Sequence, residues 1–287
     1  MHRKQFLLSL AEAESEHLQF VNRIGSYSLF LGESSEYASL STSAGEIHLI
    51  GSIFSYRFPE LTNEELLKNL SSAENIDELI SLTDGFCGHF VIIAKFGEDL
   101  YLFHDATGQK EVYYDKDYKC FGSQPKLLKR CADHSDHTDR EALDFFDSAL
   151  FQKKKLFPGT STHKKNIKHL LPNHFLHINA KSCLRFFPNK PLIKQSTKSV
   201  AEAAAAMLKG YISSMAYRNK LKVAVTGGYD SRVLFLASLG IDCQYFVKKN
   251  KSMSGSHHDI VISKQLTSHY RKQILIEGER ERERTNR

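Results

Sequence analysis

Apolar residues recur along this chain at two different spacings, and the change from one to the other divides it. In the first two thirds, short β-branched and apolar runs alternate with turn residues. EIHLIGSIF (46–54) predicts a strand. LTNEELLKNL (61–70) then predicts a helix, with a Thr62-x-x-Glu65 capping box ahead of Leu66, Leu67 and Leu70 at helical spacing. GHFVIIAKF (88–96) and residues 99–123 predict a meander of short antiparallel strands, with turns at Gly97-Glu98, Thr107-Gly108 and 115–117. A helix is expected over 139–151, and a further hairpin over 173–187 turns at Asn179-Ala180.

The pattern changes at FPNKPLIKQSTKS (187–199), where two prolines and several polar residues predict a linker. Beyond it SVAEAAAAMLKGYISSMAYRN (199–219) is alanine-rich and helical, and LKVAVT (221–226) is an apolar strand. SRVLFLASLG (231–240) is a helix stopped by Gly240, and DCQYFV (242–247) is a second apolar strand. Helix, strand, helix, strand implies a parallel α/β sheet. The domains expected are therefore 1–187 and 188–287. GERERERTNR (278–287) reads as a charged, frayed tail.

With 287 residues, 41% hydrophobic and 25% charged, the composition is that of a globular chain of one large or two medium domains. No apolar run reaches the roughly 18 to 20 residues of a membrane helix, and MHRKQFLLSLAEAESE turns acidic too early for a secretory signal. Cytoplasmic localisation is the expectation. Cys87, Cys120, Cys131, Cys183 and Cys243 never fall at CxxC spacing, which predicts reduced thiols. The net charge of +6 permits acidic ligands. The basic stretch 153–168 lacks interleaved aromatics and reads as a solvated loop, so no nucleic-acid partner is expected. His169, His174 and His177 have no metal-binding frame or nearby carboxylate, and no metal site is expected.

The candidate chemistry lies in VTGGYDSR (225–232), between a strand and a helix. In a parallel α/β unit this loop falls at the carboxyl edge of the sheet, where ligands bind. Gly227 and Gly228 would let backbone N–H groups face an anion, and the following helix adds the positive end of its dipole. Asp230 and Ser231 fall at the helix start, where either caps the helix or meets a phosphate. The pattern is neither GxxxxGK[ST] nor GxGxxG.

TGGYDSR resembles the SGGxDS pyrophosphate loop of the N-type ATP pyrophosphatases. Upstream, LTDGFCGHFVII resembles the L-x-G-x-F strand of class II glutamine amidotransferase domains, and LFHDATGQKEVYY resembles their RD-x-x-G-x-x-P-L-Y-Y hairpin. FGSQPKLL is similar to their F-A-S-E-x-K-x-L segment, and 156–178 to the stretch before the linker. In this order, these motifs resemble the asparagine synthetase-like family over roughly residues 45 to 270. The resemblance implies an α+β Ntn-hydrolase-like sandwich over residues 1 to about 187, followed by a partial α/β parallel-sheet PP-loop domain. Members with glutaminase activity begin Met-Cys, whereas this chain begins Met1-His2-Arg3, so no glutaminase activity is expected; Cys87 reads as a buried core thiol. His104 stands where the family's hairpin has arginine.

The resemblance further implies an ATP-dependent, AMP-forming amide ligase with ATP and Mg2+ as cofactors. Small-molecule or peptide carboxylates and amines are the implied substrates. Thr226, Gly227, Gly228, Tyr229, Asp230 and Ser231 would hold pyrophosphate, Phe246 and Val247 would lie beside adenine, and Asp259 of SHHDIVISKQL matches the family's aspartate. A Ser256-x-x-Asp259 capping pair accounts for that aspartate equally well. Family members continue well past this sequence, so an uncovered apolar sheet edge is expected, along with a partner polypeptide supplying the missing half. Two other readings stand beside the ligase: a catalytically inactive remnant acting as a binding module, and a PP-loop enzyme that modifies tRNA.

Overall fold

The computed structural model describes residues 4–10, 17–129, 140–154 and 157–278, so Met1 to Arg3, Cys131 and the tail beyond 278 lie outside the described residues. The chain is mixed α/β and divides into two compact units. One comprises Met1–Ile53 and Asn63–Ile193, the other Phe54–Thr62 and Lys194–Arg287.

In the first unit the chain passes back and forth between two six-stranded antiparallel sheets. β1 (Phe6–Ser9), β2 (Leu18–Ile24) and β3 (Tyr27–Gly32) belong to one sheet, and β4 (Tyr37–Ser41) and β5 (Gly45–Ser55) to the other. Two short helices follow, α1 (Asn63–Lys68) and α2 (Ile76–Leu82). β6 (Phe86–Phe96) and β7 (Asp99–His104) extend the second sheet, while β8 (Tyr113–Asp115) and β9 (Cys120–Gly122) return to the first. After α3 (Pro125–Leu128), α4 (Arg140–Asp147) and α5 (Ala149–Lys154), β10 (Ile167–His169) ends one sheet. β11 (His174–His177) and β12 (Ser182–Arg185) end the other. The orders are β10-β8-β9-β1-β3-β2 and β12-β11-β7-β6-β5-β4.

The period of two along each strand sorts the side chains between layers. Phe6, Leu8, Leu29 and Leu31 point into the core shared with Val91, Ile93, Leu102 and Leu176, while Leu7 and Phe30 pack on the opposite face with Leu128 and Ile167. Each fully buried leucine or phenylalanine contributes on the order of 1.5–3 kcal/mol.

The expected single meander over 88–123 is corrected: its first two strands lie in one sheet and its last two in the other. The crossing is fixed by Asp105, whose buried carboxylate accepts from the N–H groups of Thr107 (3.2 Å), Gln109 (3.0 Å) and Lys110 (2.8 Å) and from Thr107 Oγ1 (2.8 Å). The stretch 153–168 is also not a loop throughout, since α5 ends it on one side and β10 on the other. Buried Thr162 donates to the Ile167 carbonyl at 2.8 Å.

In the second unit, α6 (Thr197–Arg218) is capped by Ser196 and packs Tyr211 edge-on against Tyr56. β13 (Leu221–Ala224), α7 (Tyr229–Ala237), β14 (Cys243–Lys249), α8 (His258–His269) and β15 (Ile274–Gly278) follow. The three strands pair in parallel with β14 in the middle, Ala224 opposite Phe246 and Val247 opposite Ile276. Val225, Phe235 and Tyr245 form the centre of this core, and Ser238 hydrogen-bonds the buried Tyr245 hydroxyl. β13 and β15 are the sheet's edges, and Val233, Leu236, Leu275 and Ile276 are exposed. No helix among the described residues is long and apolar enough to cross a membrane.

Candidate functional site

The site is built where β13 gives way to α7. Val225 N–H donates to the Phe246 carbonyl at 2.8 Å, so the chain leaves the sheet beside Phe246 and Val247. Thr226, Gly227 and Gly228 make the turn, and α7 begins at Tyr229 with Gly228 as N-cap, its backbone extended (φ −74°, ψ 153°) and without a side-chain cap. Two hydroxyls brace the turn: Ser231 Oγ accepts from Thr226 N–H at 3.1 Å and lies 2.7 Å from Thr226 Oγ1. Ser231 is thus committed to holding the loop's shape.

The expectation that Gly227 and Gly228 turn their amides toward an anion needs revision. Gly227 N–H donates to Asp259 Oδ1 at 2.7 Å, and Gly228 N–H to Thr226 Oγ1 at 3.2 Å. The amides that find no acceptor among the described residues are those of Tyr229, Asp230 and Ser231, the first three of α7. These are the donors a helix start always leaves over, and they carry the positive end of its dipole.

The two glycines have different structural reasons. A Cβ on Gly227 would come within 2.9 Å of His258 Cδ2 and 3.1 Å of Asp259 Oδ1, so the start of α8 fills that space. A Cβ on Gly228 would meet only Thr226 Oγ1, at 3.4 Å, and its φ is negative. The fold itself does not require glycine at 228, and the space beside it is open.

The electrostatics of the turn are mixed. Arg232 Nε donates to the Gly228 carbonyl at 3.2 Å, with its guanidinium 4.5 Å from the centre of the exposed Tyr229 ring. Asp230 is exposed in the first turn of α7 and adds a negative charge to that helix start. Val247 is 1% exposed, so its side chain faces the core of the sheet, and Phe246 is half-buried.

Asp259 occupies the first turn of α8. The expected Ser256-x-x-Asp259 cap is corrected: the N-cap is His257, whose Nδ1 accepts from Asp259 N–H at 3.3 Å, while Ser256 Oγ pairs with Ser254 Oγ. His258 Nε2 lies 3.4 Å from Asp259 Oδ1 and His257 Nδ1 lies 3.8 Å from Asp259 Oδ2. These three neighbours form a cluster of nitrogen and oxygen donors that the sequence pattern did not single out.

In the first unit, Cys87 is half-buried on β6 rather than closed in the core. His104 is buried, with Nδ1 3.2 Å from the Lys110 carbonyl and Nε2 3.1 Å from the Leu171 carbonyl. Of the three histidines around 169–177, His177 does have a carboxylate partner, Asp99 Oδ1 at 2.9 Å, whereas His169 stacks on Tyr113 in the other sheet. A cleft of about 770 Å³ opens among Phe86, Phe103, Phe175 and Phe186, with Arg185 and Asp84 at its wall. Its residues come from α2, the turn after it and separate strands, which left no local sequence signal.

No protein-family model and no curated protein matches the chain. Among solved structures it is similar to one described as the structure of the allosteric regulatory enzyme of purine biosynthesis, with a TM-score of 0.33 and 8% identity. The match covers 82% of this chain and 60% of that one, and the likeness is too slight to define a family or an activity.

Proposed function

We propose that the second unit binds the phosphates of ATP at the start of α7, and that the chain is an ATP-dependent, AMP-forming amide ligase related to asparagine synthetase. One observation carries the phosphate reading. Three unpaired helix-start amides stand at the carboxyl edge of a parallel strand, beside a glycine that the fold does not require. Space kept open at Gly228 is space a phosphate can enter. The ligase chemistry rests on the resemblance of TGGYDSR and the upstream motifs.

In that chemistry a substrate carboxylate oxygen attacks the α-phosphorus of ATP, the bond to the β-phosphate oxygen breaks, and pyrophosphate leaves. An amine then displaces AMP from the acyl-adenylate. The amides of Tyr229, Asp230 and Ser231 would receive the leaving pyrophosphate, where fixed donors stabilise developing charge. Magnesium, when bound, neutralises part of that charge. The exposed Asp230 carboxylate suits its preference for oxygen ligands.

A thermal-shift titration with ATP and Mg2+ tests the binding step. A ligand held only by the folded state stabilises it by about 2.7 kcal/mol at a hundred times its Kd. The parent chain should show the shift and Gly228→Val should not, since a Cβ at 228 fits the fold while the valine methyls would fill the phosphate space. Equal shifts in both would remove the loop from the account.

A further inference from the structure

We infer that His257, His258 and Asp259 form a binding site for a divalent transition-metal ion, of the zinc, cobalt or nickel class, at the start of α8. One donor atom from each residue lies within 4.8 Å of the other two. The individual approaches are 3.4 Å between His258 Nε2 and Asp259 Oδ1, and 3.8 Å between His257 Nδ1 and Asp259 Oδ2. Donors about 2.0–2.1 Å from a tetrahedral ion stand roughly 3.3 Å apart, so the site closes when the rings rotate and His257 Nδ1, whose one lone pair accepts from Asp259 N–H, gives up that cap. Three protein donors leave a fourth position for water or an anion.

The donor set decides the class of ion. Two imidazoles and one carboxylate suit borderline ions, whereas magnesium prefers oxygen ligands and retains its waters. Helix capping explains only part of the cluster. His257 Nδ1 accepts from Asp259 N–H, and Asp259 suits the positive end of α8. Neither role involves His258, whose side chain is 69% exposed yet stands against both Asp259 and Gly227. The α8 dipole weakens cation binding there by about two- to fivefold, the equivalent of about 0.3–1 kcal/mol at an exposed helix start, and the Asp259 charge opposes that effect. Asp259 Oδ1 also accepts from Gly227 N–H, so an ion here would sit one hydrogen bond from the β13–α7 turn.

The test is titration of the untagged full chain, stripped of metal and free of nucleotide, with Co2+ and then Zn2+. Expected are one equivalent of Co2+ with visible absorption, displaced by Zn2+ but not by excess Mg2+. His257→Ala and His258→Ala should each weaken binding at least tenfold. In the parent chain, the His257 and His258 ring resonances should shift on Co2+ addition, a readout that needs no variant. Co2+ binding that survives both substitutions, or ring resonances that do not move, would overturn the inference. Because no nucleotide is present, the result is independent of the ATP reading.

Discussion

The Gly227 amide donates to Asp259 Oδ1 at 2.7 Å across 32 positions of sequence, tying the β13–α7 turn to the start of α8. Parallel strands bring successive helix starts to one edge of a sheet, and this bond fixes the spacing between two of them. It also takes Gly227 out of the set of amides open to a ligand. Gly227→Ala should therefore destabilise the chain by about 1–3 kcal/mol through overpacking against His258 and Asp259. Gly228→Ala should cost less than about 1 kcal/mol, the scale of losing a favoured N-cap residue. Urea denaturation of the two variants compares them, and a larger loss at 228 would contradict the packing described.

If the turn receives pyrophosphate as proposed, Asp230 should make that binding depend on a cation. It is an exposed acidic residue in the first turn of α7, whose amides stay open, so bare pyrophosphate arriving there would meet a like charge. Asp230→Asn should tighten metal-free pyrophosphate binding several-fold, on the scale of about 0.3–1 kcal/mol for one charge at a helix start, and should blunt the benefit of Mg2+. Calorimetric titration with and without Mg2+ measures both effects.

Lys110 makes stability depend on pH in the alkaline range. Burial, with Lys4 adding like charge, lowers its pKa from 10.5 to about 8, and its Nζ donates to the Lys4 carbonyl at 3.3 Å. Between about pH 8 and 10.5 the unfolded chain holds this proton and the folded chain does not, so stability rises with pH across that window. The contribution is complete above 10.5 and lost as pH falls through about 8, a swing of about 3 kcal/mol. Buried Tyr27 and half-buried Tyr113, each raised to about 12, act oppositely and only above about pH 10. Lys110→Met should remove the rise and stabilise the chain at neutral pH, as denaturation curves at pH 7 and 9.5 would show.

Asp105 is the fastener of the crossing between the two sheets. Burial alone would raise its carboxyl pKa, but the amides of Lys110 and Gln109 and the Thr107 hydroxyl hold it below the usual value. Asp105→Ala leaves buried N–H groups without an acceptor and should cost about 3 kcal/mol or more, since each such group costs about 1–3 kcal/mol. Asp105→Asn, which keeps an acceptor oxygen, should recover part of the loss in the same denaturation assay.

Strand existence was legible at two hairpins whose turn residues framed apolar runs, Gly97-Glu98 and Asn179-Ala180. Sheet membership was not, because β7 and β8 are separated by a turn held by Asp105, and a local pattern cannot tell a hairpin from a crossing. The strands before residue 45 went unread although LQFVNRI and YSLFLG flank a Gly25 turn; β3 is buried on both faces and so shows no alternation. The strand–turn–helix at 221–237 followed from its glycines and apolar run. Which amides stay open did not, since that depends on Asp259, 32 residues away. The histidine cluster beside it was hidden for a similar reason: adjacent residues become joint donors only once the first turn of α8 aligns their rings.

If phosphate is received at the start of α7, the amides there should report it, and NMR can follow each one. Titration of the isotope-labelled chain with pyrophosphate and Mg2+ should move the Tyr229, Asp230 and Ser231 amide resonances most, with saturation, and Gly228→Val should abolish those shifts. Unmoved resonances at these three residues, or the same shifts in Gly228→Val, would contradict the account.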